Sequence, residues 1–177
     1  FYVSAGWRLL RLLCAGDVVV AKTDPPLISV VAAVAARLRG ARLVNWIQDL
    51  FPEAAARSGM RLLQGPLGAI VRATRDWSLR RAVVNIVVGE RMAEEIGRLL
   101  PGARLRIVPN WADGTAVRPM APEASALRRE WGYEGTFVVG YSGNLGRVHD
   151  CETLLATARL LADERDVAFS IVGGGFH

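Results

Sequence analysis

The stretch Phe137 to Leu155, FVVGYSGNLGRVHDCETLL, decides the fold prediction for this chain of 177 residues. Its first three residues, ending at Val139, form a short apolar run that is typical of a buried strand. A turn with three glycines follows, and beyond Asp150 apolar residues recur at helical spacing. Strand, glycine-rich turn and helix in this order present backbone N–H groups and the positive end of a helix to a phosphate.

The turn within this stretch carries the candidate phosphate-binding residues. Gly143 and Gly146 punctuate it, and Arg147 and His149 add side chains that can carry positive charge toward the same phosphate. The alternative is a tight connection between strand and helix that binds nothing. The glycine spacing G-x-x-G-x-x-G differs from the dinucleotide fingerprint G-x-G-x-x-G, and the downstream acid of that fingerprint is missing. An NAD-dependent enzyme is therefore disfavoured.

Composition and charge exclude further classes of protein. No apolar run approaches the ~20 residues of a membrane-spanning helix. Cys14 and Cys151 lie far apart and indicate a reducing compartment, and with two histidines in the chain a Cys/His zinc site is not expected. The net charge of +5 suits a nucleotide, a nucleic acid or a membrane surface. Nucleic acid is the least favoured partner because aromatic and basic residues are not interleaved.

Both ends of the chain indicate a fragment. The start at Phe1 has neither an initiator methionine nor the layout of a signal peptide. The chain ends at His177, shortly after a predicted strand. We therefore expect a fragment that lacks both ends of the intact protein.

The first part of the chain alternates predicted strands and helices. Apolar periodicity predicts helices over about 5–14, 27–39 and 90–100, and β-branched runs predict strands over 18–21, 43–47, 82–88 and 105–108. Pro25 and Pro26 are placed in the first turn of the second helix, and Gly40 at its carboxyl end. This alternation predicts a parallel sheet with helices on its faces, and so an α/β fold.

Two carboxylates follow the strand 43–47. Ligands of open parallel sheets gather beyond the carboxyl ends of the strands, where Asp49 and Glu53 are expected to lie. The alternative is that Asp49 caps a helix and Glu53 lies in its first turn. Both readings stay open for Asp49, whereas the structural reading is favoured for Glu53.

The segment 57–81 is strongly basic. It contains six arginines and a single acid, Asp76, among apolar residues, and Gly65-Pro66 divides it into two predicted helices. Basic faces beside Leu, Ile and Trp suit docking on an anionic membrane surface. The alternative is a pair of ordinary amphipathic helices with solvated arginines.

A change of composition after Asp113 predicts a domain boundary. Pro, Ala and charged residues dominate from there to about Glu134, and a new α/β pattern then begins. We therefore predict a first domain over 1–113, a linker over 114–135 and a second domain over 136–177.

Six motifs in order give the chain a family resemblance. It resembles the GT-B glycosyltransferases of family 4, and most of all the bacterial branch that transfers sugars to lipid-linked or polysaccharide acceptors. The motifs are VVVAKTDPP (18–26), NWIQDLFPE (45–53), VNIVVGERM (84–92), RIVPNWAD (106–113), FVVGYSGNLG (137–146) and FSIVGGG (169–175).

The resemblance implies two Rossmann-like parallel-sheet domains of the GT-B type, both incomplete in this chain. The first would bind the acceptor and the second a nucleoside diphosphate (NDP) sugar. The family's glycine-rich loop would precede Phe1, and its E-x7-E motif would follow His177. We therefore expect the fragment alone to be inactive.

The resemblance also assigns roles at the domain crossover and in the glycine turn. Pro109 and Asn110 would form the crossover, and the Gly143–Arg147 turn would hold the donor diphosphate. Many relatives carry a lysine where this chain has His149 and an arginine where it has Asn144. Arg147 would compensate for the lost charge.

The catalytic assignment rests on the second motif. Gln48 stands where many relatives carry an active-site histidine, and Asp49 follows as in their His-Asp pair. The resemblance therefore implies that Asp49 orients or deprotonates the acceptor hydroxyl.

The implied reaction moves a sugar from an NDP-sugar to a hydroxyl of a cell-surface polysaccharide or glycolipid, with retention and without a metal. No Asp-x-Asp pair for a metal occurs, and no cofactor is expected because the nucleotide-sugar is a substrate. Expected partners are this donor, a lipid-linked or saccharide acceptor, and an anionic membrane surface, but no nucleic acid. The expected location is the cytoplasm, including the inner face of the plasma membrane. The alternative function is a non-catalytic binding module, favoured by the departures at Gln48, Asn144 and His149.

Overall fold

The computed structural model of the protein describes residues 1–53, 55, 60, 64–145 and 150–174. The chain divides into two compact units, Phe1–Trp111 and Ala112–His177. Within the described ranges, no helix combines the length and the hydrophobicity that crossing a bilayer requires. The same ranges contain no group of three or more His, Cys, Asp or Glu residues arranged to hold a metal ion.

Helices and strands alternate in the first unit. They are α1 (Tyr2–Leu12), β1 (Val18–Lys22), α2 (Ile28–Arg39), β2 (Arg42–Ile47), α3 (Pro66–Arg81), β3 (Val84–Val87), α4 (Glu90–Leu99) and β4 (Leu105–Ile107). The four strands pair in parallel in the order β1-β2-β3-β4. The predicted parallel sheet is therefore confirmed.

One face of this sheet forms the core of the first unit. Helix α2 packs against β1 and β2, and α4 packs against β3 and β4. Alternate residues of β2, beginning with Leu43, are buried, as the two-residue period of a strand requires. Small alanines on α2 bring the helix close to the sheet. The buried apolar residues form two clusters: Ala21, Ala32, Ala33, Ala36, Leu43 and Ala82, and Ile47, Leu79, Val87, Ile96 and Leu100.

Two asparagines lie within the buried face. Asn45 and Asn85 are partners in the β2–β3 register, and Nδ2 of Asn45 donates to Oδ1 of Asn85 at 2.9 Å. Nδ2 of Asn85 donates to the carbonyl of Leu79 at 3.0 Å. A shift of register by one residue would leave these buried groups unpaired, so the pair helps fix the alignment of the two strands.

The start of α2 corrects one prediction. Pro25 and Pro26 do not lie in the first turn of the helix, because α2 begins at Ile28 and Leu27 before it has φ 63°. A residue in this left-handed conformation cannot continue a right-handed helix, so it separates the prolines from α2. The carboxyl end agrees with the prediction: Gly40 has φ 67°, and its N–H donates to the carbonyl of Ala36.

The second unit contains a smaller sheet. A 3-10 turn (Pro122–Ala124) and the short helix α5 (Ala126–Glu130) lie within the predicted linker. Strand β5 (Phe137–Ser142), helix α6 (Cys151–Leu160) and strand β6 (Val167–Val172) follow, and the two strands pair in parallel. The strand and helix predicted from the stretch 137–155 are both present, although the strand is three residues longer than its apolar run. The strand was predicted to be buried, but Phe137 is exposed and the other residues of β5 are at most half-buried.

Candidate functional site

The carboxyl edge of the first sheet joins the ends of three strands. Nδ2 of Asn110, beyond β4, donates to Oε1 of Gln48, directly after β2, at 3.1 Å across 62 residues of sequence. The backbone N–H of Gln48 donates to Oγ1 of Thr23, directly after β1, at 3.0 Å. Polar side chains from three strands therefore meet at the edge where open parallel sheets bind their ligands.

Two tryptophans lie beside this polar cluster. The rings of Trp46 and Trp111 are parallel within 3°, with 5.7 Å between their centroids. Trp111 is 72% exposed. Both tryptophans occur in the sequence motifs given above, but neither was predicted to have a role. The signal was available, because the carboxyl ends of parallel strands lie at one edge of a sheet and both tryptophans lie near such an end.

Asp49, the predicted catalytic residue, lies at this edge and is exposed. Its carbonyl accepts a hydrogen bond from the N–H of Phe51 at 3.2 Å, which closes a turn. Asp49 lines a small cavity together with Thr23, Leu27, Phe51 and Arg75. The structure thus places the Asp49 carboxylate where a ligand can reach it. Pro109 lies between β4 and Asn110 at the same edge.

Glu53 is bound by a buried arginine. Arg75 on α3 is 6% exposed, and its Nη1 and Nη2 donate to the two carboxylate oxygens of Glu53 at 3.0 and 2.8 Å. Nη1 also donates to the carbonyl of Phe51 at 3.1 Å, and Nε donates to Asp76 at 2.6 Å. Arg75 therefore anchors the loop that carries Asp49, and Glu53 belongs to this anchor, which favours its structural reading.

The charge of Arg75 is stabilised by its partners. Burial disfavours the charged guanidinium, but hydrogen bonds and charge attraction from Glu53 and Asp76 outweigh burial and raise the pKa of Arg75. The alternative of solvated arginines over 57–81 is therefore wrong for Arg75. Its role was missed because its partner Glu53 lies 22 residues away, beyond the reach of helical periodicity.

In the second unit, the turns after β5 and β6 run side by side. The N–H of Gly143 donates to the carbonyl of Val172 at 3.0 Å, and the N–H of Leu145 donates to the carbonyl of Gly174 at 2.9 Å. A Cβ atom on Gly173 would lie 1.9 Å from the carbonyl oxygen of Gly143. Only glycine therefore permits this approach at position 173, which gives the first residue of the triple glycine a packing reason.

These contacts bear on the predicted diphosphate site. The N–H groups of Gly143 and Leu145 are engaged by backbone carbonyls, so these two groups are not free to bind a phosphate. Asn144 is exposed, and its carbonyl accepts from the hydroxyl of Tyr141 at 3.2 Å. The other three predicted residues lie outside the described part of the chain: Gly146, Arg147 and His149.

The helix after this turn is capped by an acid. Oδ1 of Asp150 accepts from the N–H of Thr153 at 3.0 Å, and Oδ2 accepts from the Thr153 hydroxyl at 2.6 Å. These hydrogen bonds from Thr153 lower the pKa of Asp150. The amino end of α6 therefore carries its own negative charge, and a phosphate there would depend more on nearby cations than on the helix end.

Comparison with known proteins gives one curated relative and related solved structures. No protein-family model matches the chain. The chain is 26% identical over 161 residues to the probable glycosyltransferase WbjE of Pseudomonas aeruginosa. This alignment covers 90% of this chain and 40% of WbjE. It is similar in structure to Anabaena Alr3699/HepE in complex with UDP, with a TM-score of 0.61, 16% identity, and coverage of 99% of this chain and 51% of that one. The complex of the same protein with UDP and glucose gives a TM-score of 0.58 at 16% identity, covering 97% and 51%.

The chain spans 40% of the length of WbjE and about half that of HepE. At 16% identity the structural likeness establishes the fold alone. The predicted fold class is confirmed: this chain has an α/β fold of the GT-B type, built on parallel sheets.

Proposed function

We propose that this protein is a glycosyltransferase that moves a sugar from an NDP-sugar to an acceptor hydroxyl. The observation that carries this proposal is the alignment with a probable glycosyltransferase over 90% of the chain. That alignment is long enough to include residues from both compact units. The comparisons do not favour the alternative of a non-catalytic binding module.

The proposed donor is a nucleotide-sugar. The solved structures of HepE contain UDP, and one of them contains glucose as well. In this chain the donor diphosphate would lie at the turn after β5, and the nucleotide-sugar would be consumed as a substrate, so no cofactor is proposed. The residues proposed to form the diphosphate site are Gly143, Asn144, Gly146, Arg147 and His149, with Gly143 shaping the turn because its own N–H is bound to Val172.

The proposed chemistry needs stabilisation of the departing diphosphate. Negative charge develops on it as the bond to the sugar breaks, and backbone N–H groups with a cation can stabilise that charge without a metal. Arg147 is the proposed cation, with His149 beside it. From the family resemblance we further propose retention at the anomeric carbon. Pro109 and Asn110 are the proposed crossover between the units.

On the acceptor side, Asp49 is the proposed residue that orients or deprotonates the hydroxyl. Its exposed carboxylate at the carboxyl edge of the first sheet supports this role. The proposed acceptor is a lipid-linked or saccharide molecule of polysaccharide or glycolipid synthesis, met at the inner face of the plasma membrane. We also propose that residues 1–177 alone are inactive, because they span only 40% of the length of WbjE.

Calorimetric titration tests the donor assignment. The protein expressed from its complete gene would be titrated with UDP, GDP and UDP-glucose, as wild type and as Arg147→Ala. We expect micromolar binding that weakens by about 1.5–3 kcal/mol in the variant, the scale of a hydrogen bond to a charged group. The matched control is Arg165→Ala, which removes an exposed arginine of the same unit outside the turn. Absence of binding by every nucleotide would refute the proposed function.

A further inference from the structure

Trp46 and Trp111 form a flat aromatic surface at the carboxyl edge of the first sheet. Their rings are parallel within 3° at a centroid distance of 5.7 Å, so they are offset rather than directly superposed. Trp46 supports Trp111 from one side, while Trp111 remains 72% exposed. The pair therefore presents an open indole face to its surroundings.

This indole is held in position by a second contact. Asn110, the residue before Trp111, donates to Gln48 at 3.1 Å, and Gln48 lies two residues after Trp46. The end of β4 is thus tied to the end of β2 through one ring contact and one hydrogen bond. A side chain that is already ordered loses little conformational freedom when it binds a ligand, which favours binding at this surface.

Two hydrogen-bond donors beside the surface lack partners. Among the residues that the structure describes, neither Nε1 of Trp46 nor Nε2 of Gln48 has a hydrogen-bond acceptor, although both atoms are buried. Unpaired buried donors are unfavourable and are uncommon in native proteins. A ligand that satisfied them would have to offer oxygen acceptors. Because both atoms are shielded, it would reach them only after a small side-chain movement, whereas the open face of Trp111 needs none.

We propose that Trp111, supported by Trp46, is a stacking platform for the sugar ring of the acceptor. A pyranose has a face of C–H groups that packs on an aromatic ring, and hydroxyl oxygens that accept hydrogen bonds from donors at its edge. Lys22 is exposed and in register with Trp46 on the neighbouring strand, so it adds a donor on the same side of the sheet. The assignment rests on the proposed function, since it takes the acceptor to be a saccharide.

The platform lies next to the proposed catalytic carboxylate. Gln48 contacts Asn110 and directly precedes Asp49 in sequence. A sugar stacked on Trp111 would therefore lie at the same sheet edge as the carboxylate that is proposed to act on its hydroxyl. A nucleobase also stacks on an exposed indole, and the experiment has to separate these two ligands.

Saturation-transfer NMR with simple sugars tests the platform. The protein from its complete gene would be mixed with methyl α-D-glucopyranoside, methyl β-D-galactopyranoside or methyl N-acetyl-β-D-glucosaminide, and UDP affinity would be measured separately by calorimetry. The variants are Trp111→Ala, Trp111→Phe and the control Trp7→Ala, which removes an exposed tryptophan of α1 that is covered by Arg11.

We expect saturation of the ring protons of at least one glycoside in the wild type, in Trp111→Phe and in Trp7→Ala. In Trp111→Ala we expect binding about tenfold weaker, the scale of losing one aromatic stacking partner, with UDP affinity unchanged. Three results would overturn the inference: no glycoside bound by the wild type, undiminished glycoside binding by Trp111→Ala, or a loss of UDP affinity in that variant. If the wild type bound none of the nucleotides in the titration described above, the proposed function itself would be refuted, so the two failures are distinguishable.

Discussion

Removal of the Arg75 guanidinium should destabilise the first unit strongly. The substitution Arg75→Met keeps most of the apolar length of the side chain but deletes the bonds to Glu53, Asp76 and the carbonyl of Phe51. The two carboxylates then remain without their cation, at side-chain exposures of only 15% and 22%. Breaking a buried ion pair from one side costs about 3–5 kcal/mol. Because both carboxylates retain some access to solvent, we expect about 3 kcal/mol, the lower end of that range.

Urea unfolding followed by circular dichroism measures this loss, as a lower midpoint at an unchanged slope. Arg80→Met is the matched control, since Arg80 lies on the same helix and is exposed, and we expect a change within about 0.5 kcal/mol. Arg75→Lys should fall between the two because it keeps the charge but loses the planar fork that binds Glu53 with two bonds.

A double-mutant cycle separates the ion pair from general packing. If the pair is the cause, Glu53→Gln combined with Arg75→Met should cost less than the two single changes added together, with a coupling of about 2 kcal/mol. The reasoning is refuted if Arg75→Met costs under about 0.5 kcal/mol, the size of an ordinary surface substitution, or if the two changes add without coupling.

Three further changes test other contacts. Gly173→Ala places a Cβ atom 1.9 Å from the carbonyl oxygen of Gly143, so we expect the free energy of unfolding to fall by at least about 2 kcal/mol. The control Gly174→Ala should cost less, because nothing lies within 4 Å of its Cβ. Equal urea midpoints for the two variants would contradict the close approach. Asp150→Ala should lower the thermal midpoint at pH 7, and the difference from wild type should shrink as the pH falls below 3.8. The reason is that folding lowers the pKa of Asp150, so its carboxylate stabilises the fold above the unfolded pKa and loses this effect when it is protonated. A difference that grows in acid would reverse that sign. Asp49→Asn in the protein from the complete gene should lower kcat by at least about tenfold with UDP affinity unchanged, and an unchanged kcat would remove Asp49 from the proposed mechanism.

The parallel sheets could be predicted because their signals are local. The strand that begins at Phe137 and the helix after Asp150 follow from apolar runs and spacing within about twenty residues. The carboxyl end of α2 at Gly40 follows from the conformational freedom of one residue. Pro25 and Pro26 show where local rules fail: proline suits the first turn of a helix, but the left-handed Leu27 delays the start of α2.

The contacts that shape the candidate site are not local. Glu53 and Arg75 are 22 residues apart, and Gln48 and Asn110 are 62 residues apart. Periodicity shows which face of an element is buried but not which arginine of a basic segment meets which acid. The approach of Gly173 to Gly143 depends on how two strands align, which the glycines in the sequence do not show.

Gln48 limits how the proposed reaction can use the acceptor hydroxyl. Its amide has no pKa near neutral pH, so it can donate a hydrogen bond to a hydroxyl oxygen but cannot accept its proton as a histidine can. Its Oε1 is already engaged by Asn110, and its buried Nε2 is the amide atom that lacks an acceptor among the described residues. Orientation of the hydroxyl can therefore come from residue 48, but removal of its proton cannot. A carboxylate can accept that proton, and Asp49, which is exposed and directly follows Gln48, is better placed than Glu53, which is bound by Arg75.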